Sequence, residues 1–139
     1  MTWTEYKYTC QIDGEGAFSC DLPFLVAKLR YGTKMMRVTA LIDSGCTITH
    51  IRTDIAGALG IDLSTAKEKN SSGITGSAIG KHSKIELEIE GHGEPFESPA
   101  AFLSTLPVPM LLGQNNFFDK FNVRFEKPKN SFYIERILD

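Results

Sequence analysis

The sequence predicts an all-β fold whose strands close, or nearly close, into a barrel. Short apolar segments with the pattern of strands recur along most of the chain, and turn-forming Gly and Pro residues separate them. Two further segments have the pattern of short helices. Strands that follow one another at short intervals, with Gly and Pro between them, are typical of closed β architectures.

Two predicted hairpins carry much of this interpretation. Residues 24–29 and 37–42 are mostly apolar, and the turn-forming residues 31–34 lie between them. Residues 123–125 and 132–134 form a second predicted hairpin, joined by a turn that contains Lys, Pro, Asn and Ser.

One alternating strand and two short helices complete the predicted elements. Apolar residues at 85–89 alternate with Lys and Glu, which indicates a strand with one buried and one solvated face. Thr53 is placed to cap a helix that starts at Asp54, and Gly60 is placed to end it. A second helix is predicted over about 115–120.

The length and composition predict a single folded domain spanning residues 1–139. The chain is 42% hydrophobic and 23% charged, which is ordinary for a folded protein with its own core. Its net charge of -2 provides no attraction to nucleic acid or to an anionic membrane. No apolar run is long enough for a membrane span and the first residues lack a leader pattern, so a cytoplasmic location is expected.

The cysteines and histidines predict neither a disulfide framework nor a metal site. The cysteines are odd in number and widely spaced, with no CxxC pair, so reduced thiols are expected. The histidines lack the spacing of metal ligands, and no metal or other cofactor is expected. These residues are Cys10, Cys20, Cys46, His50, His82 and His92.

A short polar motif, Asp43-Ser44-Gly45, ends an apolar strand. Taken alone, this tripeptide favours an ordinary turn, because Asp binds nearby backbone N–H groups and Gly adopts unusual backbone angles. The surrounding sequence changes that interpretation.

Several segments together resemble the retropepsin-like aspartic proteases. Residues 40–47 resemble the catalytic loop of that family, with two apolar residues, Asp-Ser-Gly and a small residue. Residues 110–118 resemble its second signature, in which apolar residues and a Gly open a short helix. Residues 72–76 resemble the glycine-rich flap tip, and residues 51–61 resemble the helix that follows the catalytic loop. The resemblance covers about 24–134 with the elements in the family's order.

This resemblance implies an acid-protease barrel that acts as a two-fold homodimer and cleaves peptide bonds in an extended substrate. Asp43 from each copy would serve as shared acid and base, without a metal or a covalent intermediate. The chain has one such motif and is too short for a second lobe, so the second Asp must come from another copy. Ser44 and Gly45 would hold the loops, and segments 132–134 and 3–8 are candidate interface strands.

The resemblance also implies a substrate-binding flap and a side-chain pocket. Gly73, Ile74, Thr75 and Gly76 would form the tip of a hairpin that closes over the peptide and excludes water. Leu112 is expected to line a pocket for a substrate side chain. The alternative for the glycine-rich segment is a hairpin tip without a role.

The sequence departs from retroviral members of the family at one pair of positions. Those proteins often carry an Arg after the second-signature Gly, paired with an Asp four residues beyond the catalytic Asp. Here the positions hold Gln114 and Thr47, so neutral hydrogen bonds must hold the loop.

Two other functions remain open at this stage. The same fold could serve as a peptide-binding or dimerisation module without useful catalysis. Alternatively, Cys46 and His50 could act as the nucleophile and base of a cysteine hydrolase. The intact Asp43 motif favours the aspartic enzyme over both.

Overall fold

The computed structural model describes residues 2–73 and 76–137, with only the backbone described at 71–73 and 76–78. Two compact units are present, Leu25–Asp119 and the two terminal segments, Met1–Phe24 with Lys120–Asp139. The strands are β1 Thr4–Lys7, β2 Thr9–Ile12, β3 Phe18–Leu22, β4 Phe24–Tyr31, β5 Lys34–Ile42, β6 Thr49–Arg52, β7 Lys67–Gly73, β8 Gly76–Ile89, β9 Phe96–Leu103, β10 Met110–Leu112, β11 Phe121–Glu126 and β12 Ser131–Arg136.

The larger unit is built on a closed barrel, as the sequence predicts. Neighbouring strands follow the order β4-β5-β10-β6-β9-β8, and an additional pairing of β4 with β8 closes the ring. The hairpin partner β7 extends the sheet beyond β8. Strand β10 lies between β5, to which it is parallel, and β6, to which it is antiparallel.

The alternating pattern of β8 places one face in the barrel core, as predicted. Ile85 and Leu87 are 2% and 0% exposed, and burying each side chain contributes about 1.5–3 kcal/mol. On the other face, Glu88 forms ion pairs with two residues of the neighbouring strand β4. Its carboxylate lies 3.3 Å from the amine of Lys28 and 3.1 Å from the guanidinium of Arg30. The pattern therefore separates an apolar interior from a charged surface.

Helix α1, Thr53–Leu59, packs its buried face against the barrel strands. Gly60 ends the helix in the left-handed region at φ 74°, as predicted. The predicted cap at Thr53 is wrong, because Thr53 already belongs to the helix and Arg52 occupies the cap position. Strand β6 runs directly into the helix, and the Arg52 side chain binds Asp54 at 2.8 Å without capping the helix.

The second predicted helix is a short, irregular helical turn, Gln114–Phe118. Asn115 and Asn116 interrupt it with non-helical backbone angles, and Asn116 has φ 72°. The side-chain amide of Asn116 donates to the carbonyl oxygen of Glu97 at 3.0 Å, and this bond connects the turn to β9. This turn begins directly after β10.

The smaller unit contains a three-stranded sheet, β1-β12-β11, and a separate hairpin of β2 and β3. The predicted hairpin near the end of the chain is confirmed as β11 and β12, joined by a helical turn at Lys127–Lys129. Phe132 is fully buried, and the rings of Tyr6 and Tyr8 contact it at centroid distances of 5.4 and 5.5 Å.

A disulfide joins Cys10 and Cys20, so the expectation that these thiols are reduced is wrong. The two residues are cross-strand partners in the hairpin of β2 and β3. The turn between the strands brings them together, because the Asp13 carboxylate accepts hydrogen bonds from the N–H groups of Glu15 and Ala17. Disulfides are typical of oxidising compartments, so this bond does not support the expected cytoplasmic location, which stays a prediction.

Among the described residues, no helix combines the length and apolar character that crossing a bilayer would require.

Candidate active site

Asp43 lies at the point where β5 leaves the barrel. Ile42 is 5% exposed and pairs with the fully buried Leu112 of the parallel strand β10. The N–H of Asp43 donates to the carbonyl oxygen of Leu112 at 3.0 Å, which fixes the loop to the strand end. Asp43 is half-buried, and the two residues that follow it are exposed. A polar loop is thus held at the end of two paired barrel strands.

The loop folds back on the carboxylate of Asp43. The N–H of Gly45 donates to Asp43 Oδ1 at 3.0 Å, and the N–H of Cys46 donates to the Asp43 carbonyl oxygen at 3.2 Å. A Cβ atom at position 45 would lie 3.3 Å from Asp43 Oδ1, which is a tight contact. Glycine at this position lets the backbone approach the carboxylate closely.

The second signature segment packs against the same loop through Gly113. A Cβ atom at this position would lie 2.7 Å from both the carbonyl carbon and oxygen of Ile48, and 2.9 Å from the Cys46 carbonyl oxygen. The Gly113 N–H also points to Thr49 Oγ1 at 3.4 Å. Because backbone atoms fill the space, a larger residue at 113 requires the two segments to move apart.

Neutral hydrogen bonds join the Asp43 loop to the segment that follows Gly113. This confirms the expectation that such bonds hold the loop in place of an Arg–Asp ion pair. The N–H of Gln114 donates to the carbonyl oxygen of Cys46 at 2.8 Å. The N–H of Asn115 donates to the carbonyl oxygen of Thr47 at 2.9 Å. The Gln114 side-chain amide donates to the carbonyl oxygen of Ser44 at 2.8 Å. The sequence motif does not identify Ser44 as the partner of this amide, although the position of Gln114 directly after Gly113 places it beside the loop.

Cys46 and His50 lie close together, but their geometry does not suit a nucleophile and base. The Cys46 Sγ is 2.9 Å from His50 Nδ1, and the carbonyl oxygen of Ile48 lies 2.7 Å from the same nitrogen. A carbonyl oxygen only accepts, so this short contact favours the tautomer with its proton on Nδ1, in which Nδ1 does not receive the thiol proton. Burial and the nearby Asp43 charge raise the pKa of Cys46 to about 11, which leaves the thiol protonated at neutral pH.

Leu112 does not fit the role of a pocket-lining residue, because its side chain is 0% exposed within the barrel core. Its neighbour Leu111 is partly exposed and pairs with Leu41 across β10 and β5. Side chains alternate along a strand, so Leu111 and Leu41 lie on the face opposite to the core. Leu111, and not the expected Leu112, therefore faces away from the core. Which of the two faces the core depends on how β10 pairs with its neighbours, and the sequence motif does not give that pairing.

The glycine-rich segment belongs to the hairpin of β7 and β8. Gly73 and Gly76 are paired at its end, and the strands remain paired down to Lys67 and His82. Ile74 and Thr75 lie outside the described residues, so their predicted role at a flap tip stays a prediction. Among the side chains described, no group of three or more His, Cys, Asp or Glu residues is arranged to hold a metal ion.

Comparison with known proteins gives a clear structural result and no sequence match. No family model and no curated protein match this sequence. The structure is similar to a retropepsin-like aspartic protease from Rickettsia conorii, with a TM-score of 0.60 and 16% identity over 96% of this chain and 91% of that chain. The chain has a retropepsin-like fold.

A second solved structure supports the same fold. EIAV protease in complex with the inhibitor HBY-793 is similar with a TM-score of 0.52 and 14% identity, over 71% of this chain and 88% of that chain. Identities this low establish the fold alone, so activity must be argued from the residues around Asp43.

Proposed function

We propose that this protein is an aspartic endopeptidase that hydrolyses peptide bonds with Asp43 from each of two copies of the chain. The observation that carries the proposal is the Asp43-Ser44-Gly45 loop at the end of β5, fixed by hydrogen bonds to the Gly113 segment in a retropepsin-like fold. An ordinary surface turn does not need this second segment to hold it.

The chemistry requires one carboxylate and one carboxylic acid at the same site. The carboxylate removes a proton from water, whose oxygen attacks the peptide carbonyl carbon, while the acid gives its proton to the carbonyl oxygen. The tetrahedral species then collapses as its C–N bond breaks: the proton taken from water is delivered to the departing amine, and one hydroxyl proton returns to the carboxylate that acted as the acid. Two facing carboxyl groups that share one proton provide both roles, because like charges so close do not both ionise easily.

A homodimer supplies the second carboxyl group. The sequence contains one Asp-Ser-Gly motif, and a two-fold axis beside it would bring Asp43 of one copy against Asp43 of the other. Ser44 and Gly45 are exposed in the single chain, which leaves the loop accessible to a second copy. Ser44 and Gly45 would then hold the paired loops and would not take part in the proton transfers.

An extended peptide is the substrate that suits this arrangement. The hairpin of β7 and β8, with Gly73 and Gly76 at its end, would cover the peptide as a flap with Ile74 and Thr75 at its tip. Leu111, on the face opposite to the core, replaces Leu112 as the residue expected to contact substrate side chains. No cofactor is needed for this reaction.

The experiment compares two substitutions in one loop with a peptide-library cleavage assay at acidic and neutral pH. Asp43→Asn keeps the shape of the side chain but cannot transfer a proton, so cleavage should fall to background while circular dichroism and dimer mass stay unchanged. Cys46→Ala should keep most of the activity, since the thiol is not the nucleophile.

Three results would decide against the proposal. Cleavage that survives Asp43→Asn but not Cys46→Ala would favour a cysteine hydrolase. Peptide binding without cleavage by the unmodified protein, across the pH range, would favour a silent binding module. Cleavage by a species that stays monomeric in analytical ultracentrifugation would exclude the shared pair.

A further inference from the structure

We infer that Gln114 is a positioning residue for Asp43, acting through the peptide group between Ser44 and Gly45. This inference rests on the proposed function, because positioning matters to catalysis only if Asp43 is a catalytic carboxylate.

The two ends of one peptide group connect Gln114 to the Asp43 carboxylate. The carbonyl oxygen of Ser44 accepts a hydrogen bond from Gln114 Nε2 at 2.8 Å. The N–H of the same peptide group belongs to Gly45, and it donates to Asp43 Oδ1 at 3.0 Å. A peptide group is planar, so its carbonyl oxygen and its N–H cannot turn independently.

Fixing the oxygen therefore fixes the direction of the N–H. Gly45 has few conformational restraints of its own, since it lacks a side chain, and an unanchored peptide group there can rotate away from Asp43. A hydrogen bond to the carbonyl oxygen also polarises the peptide group, which strengthens the bond that its N–H makes to the carboxylate. Gln114 thus affects both the direction and the strength of the contact to Oδ1.

The side-chain amide is the sequence-dependent part of this connection. The bonds from the N–H groups of Gln114 and Asn115 to the loop are made by the backbone and persist with other side chains at position 114. The amide belongs to a segment 70 residues away from Ser44 in the sequence. That segment is itself fixed by the close packing of Gly113 on Ile48. The Gln114 amide is therefore attached to a backbone segment that close packing keeps in place.

The kinetic test uses three substitutions of Gln114 and one matched control. Gln114→Met keeps the length but removes the donor, Gln114→Glu replaces the donor with an anionic acceptor, and Gln114→Lys restores a donor. Gln11→Met makes the same change at an exposed glutamine of β2. The loss of one net hydrogen bond should lower kcat about three- to tenfold in Gln114→Met, with KM changed less than about twofold.

The pattern across the variants separates positioning from simple destabilisation. At a pH where its carboxyl group is ionised, Gln114→Glu should lose more activity than Gln114→Met, since the carboxylate repels both the Ser44 oxygen and Asp43. Gln114→Lys should recover most of kcat. Gln11→Met should match the unmodified protein. Unchanged kcat in Gln114→Met, or a loss confined to KM, would overturn the inference.

A measurement independent of activity separates this inference from the proposed function. Hydrogen exchange of the Gly45 amide, followed by NMR, should accelerate several-fold in Gln114→Met and stay unchanged in Gln11→Met. Equal Gly45 exchange in all variants would overturn the positioning step even in an active enzyme. If the unmodified protein shows no hydrolysis that depends on Asp43, the proposed function fails, and the Gly45 exchange rates alone decide whether Gln114 orients the loop.

Discussion

Replacing Gly113 with alanine should separate the two segments that hold Asp43. The added Cβ would lie 2.7 Å from the carbonyl atoms of Ile48, whereas ordinary contacts begin at 3.4 Å, so the backbones must separate by about 0.7 Å. The bonds from Gln114 and Asn115 to the loop, at 2.8 and 2.9 Å, would then stretch to the limit of hydrogen bonding. We expect a loss of about 2–3 kcal/mol in the free energy of unfolding.

The assay is thermal unfolding combined with peptide cleavage. A loss of this size lowers Tm by roughly 10 °C in a chain of this length, and kcat should fall at temperatures where the variant is still folded. Gly57→Ala is the matched control, because a Cβ at Gly57 meets no atom within 4 Å and alanine favours helix α1. Its Tm should stay equal or rise. A Gly113→Ala variant with unchanged Tm and kcat would refute the close-packing argument.

Three further predictions concern the disulfide, the thiol and the pH dependence. Replacing Cys10 and Cys20 with serine should destabilise the hairpin of β2 and β3 by about 3 kcal/mol, so its amides should exchange faster while those of β5 do not. Because the pKa of Cys46 is raised to about 11, its alkylation should be slow near neutral pH and should accelerate only as pH approaches that value; fast alkylation at pH 7 would contradict this. If Asp43 from two copies forms the proposed pair, cleavage should be greatest at acidic pH, because such a pair works with one shared proton; a rate still rising at pH 8 with a dimer intact would contradict it.

Local patterns in the sequence predict much of the fold. The alternation at 85–89 gives the buried and charged faces of β8, because the two-residue period of a strand is written directly in the chain. Gly60 ends α1 for a similarly local reason, since a position with left-handed backbone angles strongly favours glycine. The ordered set of segments around Asp43 also identifies the candidate loop, whereas the tripeptide alone does not, because Asp-Ser-Gly after a strand is a common turn.

Features that depend on how distant segments meet are harder to predict. The disulfide between Cys10 and Cys20 requires the register of β2 and β3, which the spacing of two cysteines does not give. The choice between Leu112 and Leu111 depends on which face of β10 meets the core. The contact of Gln114 with Ser44 requires the parallel pairing of β5 and β10, and no local pattern predicts it.

The most direct test of the central claim is a subunit-mixing experiment with Asp43→Asn. Unmodified and variant protein are mixed at fixed total concentration, allowed to exchange subunits, and assayed for cleavage. If both Asp43 carboxylates form one site, mixed dimers are inactive, and an equal mixture should retain about one quarter of the activity. Retention of about one half, in proportion to the unmodified chains present, would show that each Asp43 acts alone and would contradict the shared site.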